Sequence, residues 1–491
     1  MLKTHVKWIL AAGAASFAVG AATSAGHAAD LPEKAKSAEY VKVCAAYGPG
    51  FYYVPGTDTC LKVGGYARMD TYLNVTGVFL PGAGFNGPGA GAYGFPFRDK
   101  DDADYFTLAR AALELDARTQ TDYGTLRSYF LGGIEWNSQQ GPGVGPGAAI
   151  DFERAFIQFG NLTFGYTQSF FDTGIAYSYA VLFEGSNTWN TVAAYTAQFG
   201  NGFSASFALE DAANRTTGVQ ATGASISAVT TPEAFPFVTG TTGSGLSYAN
   251  YQAGQQAPDL VANLRLDQAW GSLQVAGALH QVQALTPAYL GAVAPGTDSS
   301  STWGYALGAY AEFKLPMLAP GDSLYLQANY SDGALNYVGL AGTQQGRATG
   351  IGAIKLSGSG SMSGAYYPLA DAVMGPAGTY ETVATWALQA QFRHFWTPTV
   401  RSAAFGGYVD VDVPANVVGA APLHAWQLGC NTIWSPARNL DIGAELVYTK
   451  VGGDQPLGIV NAASASGGTS PTLVGGSTDA LAGAVRIQRT F

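Results

Sequence analysis

The chain has 491 residues, of which 47% are apolar, 12% aromatic and only 12% charged, and its formal net charge is -10. So apolar a chain is not disordered, and its sparse, mainly acidic charge does not suit a nucleic-acid binder that must neutralise phosphates. A soluble globule would carry about twice that share of charge, so the question is where the apolar surface goes.

Residues 1–28 read as a secretory signal. Lys3 and Lys7 make a basic start, an apolar run follows from Trp8 to about Ala22, and small residues surround a cleavage point with Gly26 at -3 and Ala28 at -1. The run is short for a membrane anchor of about 20 residues. Beyond it, no stretch of 18 or more apolar residues exists, so the rest of the chain has no transmembrane helix. An exported apolar chain without such a helix fits a closed β-barrel, whose backbone groups pair between strands.

Residues 29–59 form an N-terminal periplasmic segment ahead of the pore domain at 60–491. Cys44 and Cys60 bracket a Gly- and Pro-containing stretch that a disulfide could close in an oxidising compartment. Two free or metal-binding thiols are the alternative, although no His or further Cys lies nearby. Cys430 sits in an apolar strand and reads as a small hydrophobe.

Period-2 alternation dominates from residue 60 onward. In the first strand Leu61, Val63, Ala67, Met69 and Leu73 alternate with Lys62, Tyr66, Arg68, Asp70 and Asn74. In the second, Ala109, Ala111, Leu113, Leu115 and Ala117 oppose Arg110, Glu114, Asp116 and Arg118. The third sets Leu126, Phe130, Ile134 and Trp136 against Arg127, Tyr129 and Glu135. Further strands are expected near 150–159, 162–168, 191–199, 203–210, 259–267, 272–282, 302–315, 323–331, 382–395, 399–409, 423–433, 439–450 and 479–491, making sixteen.

Short connections at 121–124, 160–161, 200–202, 268–271, 316–322, 396–398 and 434–438 alternate strictly with long ones. The long ones lie at about 75–104, 137–149, 169–190, 211–258, 283–301, 332–381, 410–422 and 451–478. That asymmetry is expected of a transmembrane antiparallel barrel with short periplasmic turns and long extracellular loops. A soluble sandwich or propeller has no reason to segregate loop lengths. The fold expected is therefore an all-β, sixteen-stranded outer-membrane barrel, embedded in lipid and lipopolysaccharide.

The apolar strand faces would meet lipid, and the charged faces, too costly in hydrocarbon, would line water. Trp136, Trp189, Trp303, Trp386, Trp396, Trp426 and Trp434 fall near strand ends and suit interfacial girdles. The inward bases are Arg68, Arg110, Arg118, Arg127, Arg154, Arg265, Lys314, Arg393 and Arg486. The inward acids include Asp70, Glu114, Asp116, Glu135, Glu210, Asp267, Glu312, Asp441 and Glu445. Opposed charges at a constriction would select small solutes by size and charge. The third long loop holds Asp172, Ile175, Tyr177, Tyr179, Val181, Leu182, Phe183 and Glu184. So apolar a loop would pack rather than dangle. Folding inward would bring Asp172 and Glu184 opposite the basic wall.

An outer-membrane enzyme is the contrasting class, but it needs a nucleophile, a base and an orienting group. Of His280, His394 and His424, only His280 faces inward by parity, and no Ser/His/acid spacing stands out. No Gly-rich phosphate loop or metal-ligand cluster is apparent, and no cofactor is expected. A barrel whose long loops bind a partner, as in an adhesin or a substrate-specific channel, is the other alternative.

Two stretches carry a resemblance. Glu39-Tyr40-Val41-Lys42-Val43-Cys44, Tyr47-Gly48, Phe51-Tyr52-Tyr53-Val54-Pro55-Gly56-Thr57, Cys60-Leu61-Lys62-Val63 and Gly65-Tyr66 resemble the N-terminal signature of alphaproteobacterial general porins, the rhizobial and Brucella-type proteins among them. Val485-Arg486-Ile487-Gln488-Arg489-Thr490-Phe491 resembles their closing strand. The resemblance implies a sixteen-stranded barrel, usually a homotrimer, with the third loop narrowing a pore for small hydrophilic solutes. The long Gly/Ala-rich loops depart from that pattern. Phe491, with Val485 and Ile487 on its strand face, resembles the signal read by the outer-membrane assembly machinery.

Overall fold

A computed structural model describes residues 42–73, 105–138, 147–179, 185–217, 219–221, 254–285, 299–340, 352–357, 364–374, 380–412, 414, 422–453 and 476–491. The signal at 1–28 and Glu184 lie outside the described residues.

Sixteen strands form one antiparallel sheet: β1 (Cys60–Leu73), β2 (Tyr105–Thr121), β3 (Gly124–Asn137), β4 (Gly147–Phe159), β5 (Leu162–Gln168), β6 (Trp189–Gly200), β7 (Phe203–Glu210), β8 (Asp259–Gln268), β9 (Gly271–Leu285), β10 (Ser299–Lys314), β11 (Ser323–Asp332), β12 (Ala384–Thr397), β13 (Val400–Asp412), β14 (Leu423–Ala437), β15 (Leu440–Gly453) and β16 (Gly476–Thr490). Each pairs with its neighbours in sequence, and β1 pairs with β16 from Tyr66↔Thr490 to Leu73↔Gly483. That last pairing closes the sheet and leaves no edge, as a hydrocarbon environment requires. Among the described residues, no helix is long and apolar enough to cross a membrane.

All sixteen expected strands are present. Several run further than their alternation suggests. β10 begins at Ser299 rather than 302. That end stands where polar residues occupy both faces, Ser299-Ser300-Ser301, so no lipid-facing pattern marks it. Glycine takes the left-handed conformation in several short turns, such as Gly160 with φ 56°, and two turns use a non-glycine residue there. Asn201 has φ 49° between β6 and β7, and Asn439 has φ 64° between β14 and β15, a conformation asparagine tolerates.

Leu113, Ile134, Phe207, Leu307, Leu388, Leu428 and Ile487 point out of the barrel and are exposed in the isolated chain. Trp136, Trp303, Trp386, Trp396 and Trp434 are exposed as well. Trp189 departs from this set. It is half-buried, its indole N–H donates to Gln168 Oε1 at 2.8 Å, and Arg154 lies 5.2 Å from its ring. Cys430 is exposed on the outer face.

Cys44 and Cys60 are joined by a disulfide, with Cα atoms 5.9 Å apart. The loop it closes adds a two-residue strand to the sheet, Tyr52–Tyr53, paired antiparallel with Leu61 and Cys60 at the start of β1. Phe51 is buried beside the two half-cystines, and the Arg118 guanidinium sits 4.9 Å from the Phe51 ring and 5.6 Å from that of Tyr47.

Candidate functional site

The inner faces of β16 and β1 to β4 form a wall of paired charges. Asp70 accepts from Arg486 at 2.7 and 3.0 Å and meets Arg68 at 3.2 Å. Asp116 lies between Arg118 at 2.7 Å and Arg127 at 2.9 Å. Lys62 stands 3.8 Å from Glu114. Arg110 meets three carboxylates, Glu135 at 2.5 Å, Asp151 at 3.0 Å and Glu153 at 3.4 Å, and Tyr66 donates to Glu153. Arg154 meets no carboxylate among the described residues; the Trp189 ring is its neighbour. The wall also stacks its cations on aromatic faces. Arg127 lies 4.8 Å from the Tyr129 ring and 5.2 Å from that of Phe156, at distances where the ring quadrupole attracts a cation.

Arg68, Asp70, Arg110, Glu114, Arg118, Arg127, Arg154 and Arg486 thus all lie on the inner face, where alternation places them. Asp151 and Glu153 were not legible, because a bulge intervenes. Leu131 pairs with Arg154 but Gly132 with Phe152, so Glu153 is an extra residue. A bulge of this kind reverses parity along the strand, and Asp151, Glu153 and Arg154 all face inward. The clue is chemical: with Arg154 inward, strict alternation would put two acids in lipid. Arg401, whose Nη2 lies 2.6 Å from Asp441, was missed too. On β13 its inner neighbours are the buried Ala403, Phe405 and Val409, so neither strand face reads as polar.

The third long loop folds into the barrel. From β5 it passes along the far wall, where Asn263 of β8 donates to Phe170 O at 2.6 Å and Gln274 of β9 to Phe171 O at 3.1 Å. The Tyr177 amide donates to Gln391 of β12 at 2.6 Å, Asn431 of β14 donates to Tyr177 O at 2.7 Å, and the Tyr179 amide donates to Glu445 of β15 at 2.6 Å. The wall makes room with glycine. A Cβ at Gly308 would stand 2.9 Å from the Phe171 ring, and one at Gly443 would overlap the Tyr179 hydroxyl. The Tyr177 phenol donates to Glu312 at 3.1 Å, and burial pushes its pKa up to about 12, so it stays protonated at neutral pH.

Asp172 does not face the basic wall. Its side chain is fully buried, 2.9 Å from Arg215, a residue of the long loop after β7, and it accepts from the Thr188 amide at 2.7 Å. A buried carboxylate takes the partner that desolvation demands, and here that partner is the equally buried Arg215. A second segment enters beside this loop. Leu335–Val338 forms a turn of 3-10 helix after β11, and Leu335, Asn336, Tyr337, Val338 and Leu340 are fully buried. Tyr337 donates to Asp259 at 2.6 Å, and the same carboxylate meets His280 Nδ1 at 2.7 Å. His280 is inward, as parity requires, but wholly buried. His394 meets Asp322 at 2.6 Å near the β10–β11 turn.

A closed sixteen-strand barrel with an apolar outside and a charged, partly filled inside defines an outer-membrane channel. The sequence profile of the Porin subfamily matches residues 30–474. Porin Omp2b of Brucella suis biovar 1 (strain 1330) is 30% identical over 324 residues, covering 64% of this chain and 75% of that protein. Porin Omp2b of Brucella abortus (strain 2308) gives the same identity and coverage. Among solved structures, the outer membrane channel DcaP of Acinetobacter baumannii shares the fold with a TM-score of 0.54 at 14% identity, over 89% of this chain and 99% of that one. The chain belongs to the porin subfamily and is an outer-membrane β-barrel channel of a Gram-negative envelope.

Proposed function

We propose that the channel is a water-filled pore for passive diffusion of ions and small hydrophilic solutes, working as a homotrimer in a lipid and lipopolysaccharide membrane. The observation that carries this is the inner wall of β16 and β1 to β4, where ionised side chains sit opposite an inward loop. Such groups are expensive anywhere but beside water. Arg68, Asp70, Arg110, Glu114, Arg118, Arg127, Arg154 and Arg486 line the passage on this reading. The relatives named porin support it. The signal at 1–28 and the periplasmic segment at 29–59 belong to the same reading, as does Phe491. The Phe491 amide donates to Gly65 O at 2.9 Å, and the Gly65 amide donates to Phe491 O at 3.2 Å, so the terminal residue completes the β1–β16 seam. Deleting Phe491 is expected to lower the yield of assembled trimer, measured by heat-modifiable migration in gels.

The deciding experiment is conductance in a planar bilayer. Ohmic steps arriving in threes are expected. Saturable transport of one solute would point to a specific channel instead, and absence of current would overturn both.

A further inference from the structure

Arg215 touches neither the charged wall nor the aqueous passage, yet it joins three loops. It follows a 3-10 turn, Ala212–Asn214, whose cap Asp211 accepts from the Ala213 amide at 2.8 Å. Asn214 ties the same turn to Trp189 O at 2.8 Å. From this fixed base the Arg215 guanidinium donates to Asp172 at 2.9 Å and to Ser186 Oγ at 2.7 Å, both on the inward loop. It also donates to Asn336 O and Oδ1 at 3.4 Å each, and lies 4.0 Å from the Tyr337 ring centroid. Tyr337 is in turn anchored to the wall through Asp259 and His280. Arg215 and the Asp172 side chain have no accessible surface.

We propose that Arg215 is the positioning residue of the pore, the latch that clamps the inward loop and the 335–338 segment to one another and so holds the width of the passage constant. It acts through the loop and not on the solute. Planar guanidinium suits this task, since one side chain donates in several directions while its face stacks on a ring. Lysine could hold Asp172 but not all of these contacts at once.

The inference rests on the pore reading above. Its test is single-channel recording of the full-length assembled protein. Arg215→Ala is expected to give several-fold greater open-channel current noise and closure at lower voltage, with a much smaller change in ion selectivity because neither member of the pair reaches the passage. Asp172→Asn, nearly isosteric, is expected to do the same to a smaller extent, and the double variant to be no noisier than Arg215→Ala. Arg215→Lys is expected to restore part of the quiet behaviour. Assembled Arg215→Ala and Asp172→Asn channels as quiet as the native one would overturn the latch. If Arg215→Ala does not assemble, Asp172→Asn decides alone: added noise supports the latch, and a selectivity shift without noise refutes it. A native protein that passes no current would instead bring down the pore reading, and the latch with it.

Discussion

The two inner walls use the same guanidinium–carboxylate chemistry for opposite ends. On the β16 to β4 side, Arg118 and Arg127 keep 27% and 24% of their side chains accessible while sharing Asp116. On the β7 to β12 side, the Arg215–Asp172 pair is sealed behind Phe171 and Tyr337, with Phe171 4.7 Å from the Tyr337 ring. A wet pair contributes little stability but stays available to a passing ion. A sealed pair is nearly neutral as a unit, so while intact it adds little to the field in the passage, and once broken it leaves a charge with nowhere to go. On the proposed pore reading, accessibility more than charge therefore divides a selective wall from a structural one.

Arg110 is the strongest challenge to this division, because it stands on the wet wall but is itself buried beside three carboxylates. Arg110→Ala is expected to cost about 3–5 kcal/mol, the range for stranding a buried charge, read as a lower denaturant midpoint in detergent. A cost near zero would mean that water reaches those acids and that the wall is wet throughout. Tyr337→Phe comes next. It removes the donor to buried Asp259 and is expected to cost about 1–3 kcal/mol, measured in the same way. The smallest effect on stability belongs to Arg118→Gln, below about 1 kcal/mol, since Asp116 keeps Arg127 and the lost group is partly solvated. A large loss there would erase the contrast.

Most of the barrel was legible because lipid enforces one rule on every strand. Leu61, Val63, Ala67, Met69 and Leu73 had to be apolar on one face, so the other face, and with it the arginine row, followed. Legibility failed where the second solvent was protein and not water. Ala403 and Phe405 are apolar and inward because Tyr177 packs on that part of the wall, and this hid Arg401. Asp151 and Glu153 were hidden by a bulge that no alternation encodes. Asp172 was legible as an inward-loop acid, but its partner was not. Arg215 lies 43 residues away in a long polar loop, and Asn336 lies 121 residues beyond that arginine. Only the folded barrel brings three such loops together.

The most direct test of the division is the zero-current potential of single channels in a salt gradient, compared between two variants. Arg118→Gln with Arg127→Gln is expected to move it toward cation preference, because Asp116 then faces water without a counter-charge. Asp172→Asn is expected to move it far less, because neither member of the sealed pair reaches the passage. A shift from Asp172→Asn as large as that from the arginine pair would contradict the account.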